Sequence, residues 1–281
     1  MDNKPKKVNA TLTHSKFMDT STIEQKYSDH AFLYDDLKQA FEKAEIKIPF
    51  PISHRVIGDL SKRISHIFNG MLAAAKNDNL YVIFILYRSL LEHFFKGMFI
   101  IDKMVEKMSD EIAENYQKHY FVSEFLAEQA GILEMEDLIN DNIEKTEFIN
   151  FLIKKMPGLE GFDKTNQQEI SAGIKQLSLK EIIKYLHKKY KDRGSLLATN
   201  NIVAQTLPEY SYISTFTHGG SYASILMDKF IRENDIENQL LRILQISLTT
   251  TCLTKEHFFM TYQVDKSFNP YILKLHSLRE L

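Results

Sequence analysis

Along most of the chain apolar residues recur at three- and four-residue spacing, and few stretches alternate at period two, so the pattern predicts helices rather than strands. A first helix is expected from Ser21 to about Glu45. Ser21-Thr22-Ile23-Glu24 has the spacing of a capping box, and Ile48-Pro49-Phe50-Pro51 breaks the helical pattern. A second helix covers about Ser53 to Lys76, and Asn77-Asp78 then offers the N-cap of a third, more apolar helix that runs to about Lys107. Ser109-Asp110-Glu111 places acceptors and negative charge at the start of a fourth, which suits the helix dipole, with Gly131 as its expected stop. A fifth runs from about Met135 to Met156, ended by Pro157-Gly158. From there to Gln176 the chain is rich in Gly, Asn, Gln and charge, and is expected to be a loop or a sub-division of the helical domain.

Helical signals resume at Ser178-Leu179-Lys180-Glu181, another capping-box spacing, and fade near Arg193-Gly194. Shorter pieces run from Leu196 to Thr206 and from Pro208 to His218, with Pro in the first turn and Gly219-Gly220 as punctuation. Ser221 to about Arg232 and Ile236 to about Tyr262 complete the core. Asp265 to Leu281 reads as an arm or a short terminal helix, and the polar stretch from Met1 to Thr20 as a flexible tail without a secretory h-region. The expectation is an all-α, multi-helix bundle of roughly eight to ten helices between residues 21 and 262, with no fixed-period repeat.

Composition agrees and narrows the function classes. Glycine and proline are sparse, 10 and 6 in 281 residues. A formal net charge of −2 excludes a surface that is basic all over, but leaves local basic patches open. Cys252 is the single cysteine and is expected to pack in the core. The most apolar segment, Leu80 to Ile101, has its longest unbroken apolar run at Leu80 to Tyr87, after which Arg88, Glu92, His93 and Lys96 intrude. A spanning helix needs about 20 mostly uncharged residues, so a core helix of a cytoplasmic protein is expected. Nucleotide-loop, zinc-protease, C-x-x-C and EF-hand motifs are absent from the sequence, and no cofactor or metal is expected. His218-Gly219-Gly220-Ser221 has no G-x-S-x-G elbow to accompany it as an esterase loop.

One constellation stands out. With Arg88 at zero on the third helix, Glu92, Lys96, Ser89 and His93 fall at about 40, 80, 100 and 140°. Val82 and Ile85 precede this sector, and Phe99 and Ile100 succeed it, so the polar groups form an island on an otherwise apolar helix. It is either a solvent window or buried Arg88–Glu92 pair that fixes packing, or a pocket where a guanidinium, a carboxylate and an imidazole meet a ligand. Lys180, Lys184, Lys188 and Lys191 give a separate basic helix face suited to a solvated surface or a phosphate backbone. Tyr210, Tyr212, Phe216 and Tyr222 are candidates for core packing or base stacking.

Arg88-Ser89-Leu90-Leu91-Glu92-His93 resembles the R-x4-H motif of the HEPN ribonucleases, all-helical proteins of toxin–antitoxin, CRISPR and abortive-infection systems. That resemblance implies metal-independent RNA cleavage by a homodimer, with Arg88 stabilising the phosphate and His93 or His218 moving protons. Tyr87-Arg88-Ser89-Leu90-Leu91-Glu92 together with the later Tyr210-Ser211-Tyr212-Ile213-Ser214-Thr215-Phe216-Thr217-His218-Gly219 resembles the bacterial family labelled domain of unknown function 5677. It implies a helical fold and a shared site of Arg88, Glu92, Ser214 and His218. The expected catalytic residues are therefore Arg88, Glu92, His93 and His218, with Lys96, Ser214 and Tyr210 as ligand contacts. The expected role is a bacterial antiviral-defence or toxin-type protein acting on RNA. The alternative is a non-enzymatic sensor or scaffold that holds a small anionic ligand or a protein partner from the same operon.

Overall fold

The computed structural model describes residues 19–118, 120, 131, 135, 177–190, 206, 209–210, 213–217, 221–233, 235–262 and 269–279. Among them every regular element is helical and none is a strand, as expected of an all-α multi-helix bundle. No helix among the described residues is long and apolar enough to cross a membrane.

Helix α1 (Ser21–Lys43) starts at the expected residue, but its cap is Thr20. The Thr20 hydroxyl bonds the Glu24 carboxylate one turn on, and the Asp19 carboxylate accepts from the Ser21 N–H at 3.0 Å. Helix α2 (Pro51–Lys76) begins two residues earlier than expected, because Pro51 suits the first helical position. Helix α3 (Leu80–Lys107) is capped by Asn79, whose side chain accepts from the Val82 N–H at 3.2 Å. Asn77 instead closes α2, and Asp78 makes the turn in the left-handed region with φ 50°. The negative charge at Ser109-Asp110-Glu111 is also used differently from the expectation. Asp110 accepts from the backbone N–H groups of Ser53 at 2.7 Å and Ile52 at 3.2 Å, so it caps α2, 57 and 58 residues away. Residues 111–118 are helical, and Gly131, the expected stop of this helix, is itself helical.

The remaining elements are α4 (Leu179–Tyr190), α5 (Ser221–Glu233), α6 (Ile236–Phe258) and α7 (Asn269–Arg279), with a single 3-10 turn from Phe259 to Tyr262 after α6. The expected arm after Asp265 is thus largely helix, and Leu275 of α7 is fully buried. The expected tail up to residue 18, residues 136–156 of the expected fifth helix, the loop of residues 157–176 and the piece from Leu196 to Gln205 lie outside the described residues.

Helices α2 and α3, joined by three residues, share the largest interface, and α6 lies against both. The larger apolar cluster centres on α3, where Phe84, Tyr87, Leu91, Phe94 and Phe95 pack on Phe68 and Met71 of α2 and Leu244 and Leu248 of α6. A second gathers Leu37 and Phe41 of α1, Ile57 of α2, Ile100 of α3 and Phe259, with the Phe41 and Phe259 rings stacked at 5.1 Å. Gly58 admits this close approach, since a Cβ there would sit 3.1 Å from Cε2 of Phe258.

Helix α6 buries an unusual polar set without losing hydrogen bonds. Ser247, Thr251 and Thr254 return their hydroxyls to carbonyls one turn back, Thr250 to that of Ser247, and Cys252 is packed as expected. Beside them Lys255 lies over the rings of Tyr27 at 4.8 Å and Tyr34 at 5.5 Å. His30 meets Glu256 at 3.3 Å in the same buried layer.

Candidate functional site

The island sits at the middle of α3, with core residues after it and partly buried apolar residues before it. Ile100 is fully buried and Phe99 nearly so, while Val82 and Ile85 are half-buried. Glu92 is bracketed by a cation one turn away on each side. Its Oε2 lies 3.7 Å from Nη1 of Arg88, and its Oε1 3.3 Å from Nζ of Lys96. The side chains of Arg88, Glu92 and Lys96 are 24, 28 and 11% exposed. This is neither a buried pair nor an open surface, but a narrow window on solvent.

Each cation also meets an aromatic face from another part of the chain. The Arg88 guanidinium lies 5.2 Å from the ring centre of Tyr210, and the Lys96 ammonium 4.6 Å from that of Tyr120. Burial raises the Tyr210 phenol pKa, with a further push from the Glu92 charge that Arg88 opposes. Nε of Arg88 is buried and has no hydrogen-bond partner among the described residues.

His93 occupies the far side of the sector. Its Nδ1 is 2.7 Å from the Ser89 carbonyl oxygen, which can only accept, so Nδ1 carries the proton and neutral His93 keeps its lone pair on Nε2. Burial lowers its pKa; the Ser89 bond works against this, and the charges of Lys96 and Arg63 add to it. Burial thus favours the neutral ring. The carbonyl bond alone marks a helix rotamer rather than a site, since His257 makes the same contact with Leu253 at 2.7 Å.

The second sequence motif does come to the first. Tyr87 donates from its hydroxyl to Oε2 of Glu209 at 2.8 Å, and the other Glu209 oxygen pairs with Arg242 of α6. Tyr81 donates to the Phe216 carbonyl at 2.8 Å, and the Phe216 ring stacks on Phe84 at 4.3 Å. Residues 209–210 and 213–217 thus lie along α3 from Tyr81 to Arg88, with Ser214 half-buried among them. The R-S-L-x-E helix and this segment are therefore neighbours in space. His218 and Tyr212 lie outside the described residues.

A pocket of about 460 Å³ lies between α2 and residues 116–118 and 120, lined by Asp59, Arg63, Tyr116, Gln117, Lys118 and Tyr120, with Val56 and Leu60. The pocket adjoins the island at one contact, the Tyr120 ring against Lys96, and the Arg63 charge helps to lower the His93 pKa. The Tyr116 and Tyr120 rings lie 4.6 Å apart, and Tyr120 is anchored through its hydroxyl to the Leu177 carbonyl at 2.8 Å. Sequence reasoning missed Arg63, Tyr116 and Tyr120. The i, i+4 spacing of the two tyrosines was the available signal, but nothing local ties them to α3. The separate lysine face of α4 is partly engaged within the protein, because Lys184 pairs with Glu181 at 2.7 Å. Neighbouring Lys189 turns inward to Asp102 at 3.2 Å, and Lys191 lies outside the described residues.

Chemically, the window and pocket combine donors for an anion with ring faces for a planar group, and the described residues include no cluster suited to a metal ion. Arg88 and His93, five residues apart, point about 140° apart around the helix and reach different walls. In comparisons with known proteins, no family model, no curated protein and no solved structure matches this chain.

Proposed function

We propose that the protein binds a small phosphate-bearing ligand with a planar ring, a single nucleotide being the simplest, and that it acts as a sensor module. One observation carries this reading. Two cationic, ring-bearing features adjoin: Arg88 against Tyr210 and Lys96 against Tyr120 flank Glu92 on α3, and Tyr120 also lines the pocket that holds Arg63, Lys118, Tyr116 and Asp59. A cavity of about 460 Å³ is within the size range of small-ligand sites, and few convergent polar groups on an aromatic wall are their usual make-up. Phosphate would lie at the cations, where charge-assisted hydrogen bonds are strong, and the ring between tyrosine faces. The two sequence resemblances support a setting in bacterial defence.

Calorimetric titration with the four ribonucleoside 5′-monophosphates and with inorganic phosphate tests it. Binding of at least one nucleotide, weakened at least tenfold by Arg88→Gln and by Arg63→Gln, is the expected result. No binding of nucleotide or phosphate at millimolar concentration would refute the reading.

The second reading, a metal-independent ribonuclease, is favoured by the state of His93. A neutral imidazole with its lone pair on Nε2 is poised to take a proton from a ribose 2′-hydroxyl, while Arg88 would stabilise the charge on phosphate. Because Arg88 and His93 diverge around α3, this chemistry calls for a second copy that completes the site, as the HEPN resemblance implies. Cleavage of a fluorescent RNA in EDTA, lost in both Arg88→Ala and His93→Ala and restored on mixing the two variants, is the outcome that would favour it over the sensor.

A further inference from the structure

The anion site depends on a contact that it does not itself contain. Tyr87 and Arg88 are consecutive on α3, and Glu209 and Tyr210 are consecutive in the segment that crosses it. The two pairs meet in register: Tyr87 with Glu209 through a 2.8 Å hydrogen bond, and Arg88 with the Tyr210 ring at 5.2 Å. Glu209 is fastened twice, since its second oxygen pairs with Arg242 from α6, and its side chain is 16% exposed. Three elements therefore converge on one carboxylate whose neighbour in sequence covers the guanidinium.

We infer that Glu209 is a positioning residue, which fixes the Tyr210 ring against Arg88 and thereby sets the guanidinium for anion binding. This role rests on the proposed nucleotide binding. The physical reason is preorganisation. A long arginine side chain loses rotamer freedom whenever it binds, and a ring held against one face of the guanidinium leaves its edge donors directed and its plane fixed before the ligand arrives. Tyr87 is well suited to be the anchor. It is fully buried, and burial and then the Glu209 charge raise its phenol pKa well above the ordinary value, so it remains a donor over the working pH range. Arg242 adds the opposite charge from the solvent side. The contact makes the identity of residue 209 matter at a distance from the ligand.

The test is a double-mutant cycle read in ligand affinity, with the nucleotide monophosphate that the wild-type protein binds most tightly as probe. Glu209→Gln should raise Kd about tenfold, equivalent to about 1.4 kcal/mol. Tyr210→Leu should do the same, and the Glu209→Gln/Tyr210→Leu pair should be no worse than either single change. A purely structural role for Glu209 predicts otherwise, with a lower melting temperature, unchanged Kd in the folded protein, and additive effects in the pair. Either of the last two results overturns the inference. The two levels separate cleanly. If Arg88→Gln abolishes binding while Glu209→Gln leaves it intact, the positioning role falls and the binding reading stands. If the wild-type protein binds neither nucleotide nor phosphate, both fall.

Discussion

Replacing Arg88 by alanine separates a structural ion pair from a binding group, and the geometry sets the scale. A fully buried pair would leave Glu92 stranded at a cost of roughly 3–5 kcal/mol. That is not the situation here. The Arg88 and Glu92 side chains are 24 and 28% exposed and their nearest charged atoms are 3.7 Å apart, the regime in which an i, i+4 pair contributes about 0.3–0.5 kcal/mol. Glu92 also keeps Lys96 at 3.3 Å when Arg88 is removed. The contact with the Tyr210 ring adds about 0.5–1 kcal/mol. Working the other way, alanine is the better helix former, and the change removes a buried Nε that has no partner among the described residues. The net cost should be about 1 kcal/mol, or roughly 2–4 °C in Tm for a domain of this size. Urea denaturation of the wild type, Arg88→Ala, Glu92→Gln and the double variant measures both the cost and the coupling. A loss of 3 kcal/mol or more, with most of it coupled to Glu92, would show that the pair holds the fold and would remove the reason to read the window as a site.

Three further outcomes are expected. Tyr87→Phe keeps the buried ring but leaves Glu209 one donor short, and should cost about 1.5–3 kcal/mol in urea denaturation; a change below 0.5 kcal/mol would show that the hydroxyl contact contributes little. Lys255→Met should be neutral or stabilising by up to about 1 kcal/mol, because burial lowers the Lys255 pKa and a thioether fills the same slot between Tyr27 and Tyr34; a loss above 2 kcal/mol would show that the two ring contacts outweigh desolvation. His54, whose pKa burial and then the Lys38 charge lower to about 4, binds its proton more weakly in the folded state than in the unfolded one. Its contribution is therefore intact above about pH 6.5, is lost as pH falls towards 4, and changes no further below that, so His54→Gln should flatten the wild-type slope of stability in that interval. An unchanged slope between pH 4 and 6.5 would show that the ring titrates normally.

Much of the architecture is decided over a few residues and is legible in the sequence for that reason. Helical periodicity gives α1, α2, α3 and α6 nearly to their ends, and the break of an apolar stripe by Arg88, Glu92, His93 and Lys96 marks a half-buried polar stretch in the middle of α3. Cys252 reads correctly as core, since an isolated cysteine in an apolar run has no nearby partner for other chemistry. The departures are of one kind. Asp110 has the position of a cap for its own helix and instead caps α2, and Asn77-Asp78 gives way to Asn79, because a cap is chosen by the geometry of the turn and by which free N–H groups lie near, not by residue type alone. The same limit applies at the site. Sequence says that Arg88 and Glu92 lie one turn apart, but not that Lys96 shares the carboxylate, that Tyr210 covers the guanidinium, or that Arg63, Tyr116 and Tyr120 wall the adjoining pocket. Local periodicity fixes which face of a helix is polar; which distant charges and rings meet it depends on how α2, α6 and residues 209–210 and 213–217 pack against α3, and so only the tertiary structure decides what surrounds the polar island.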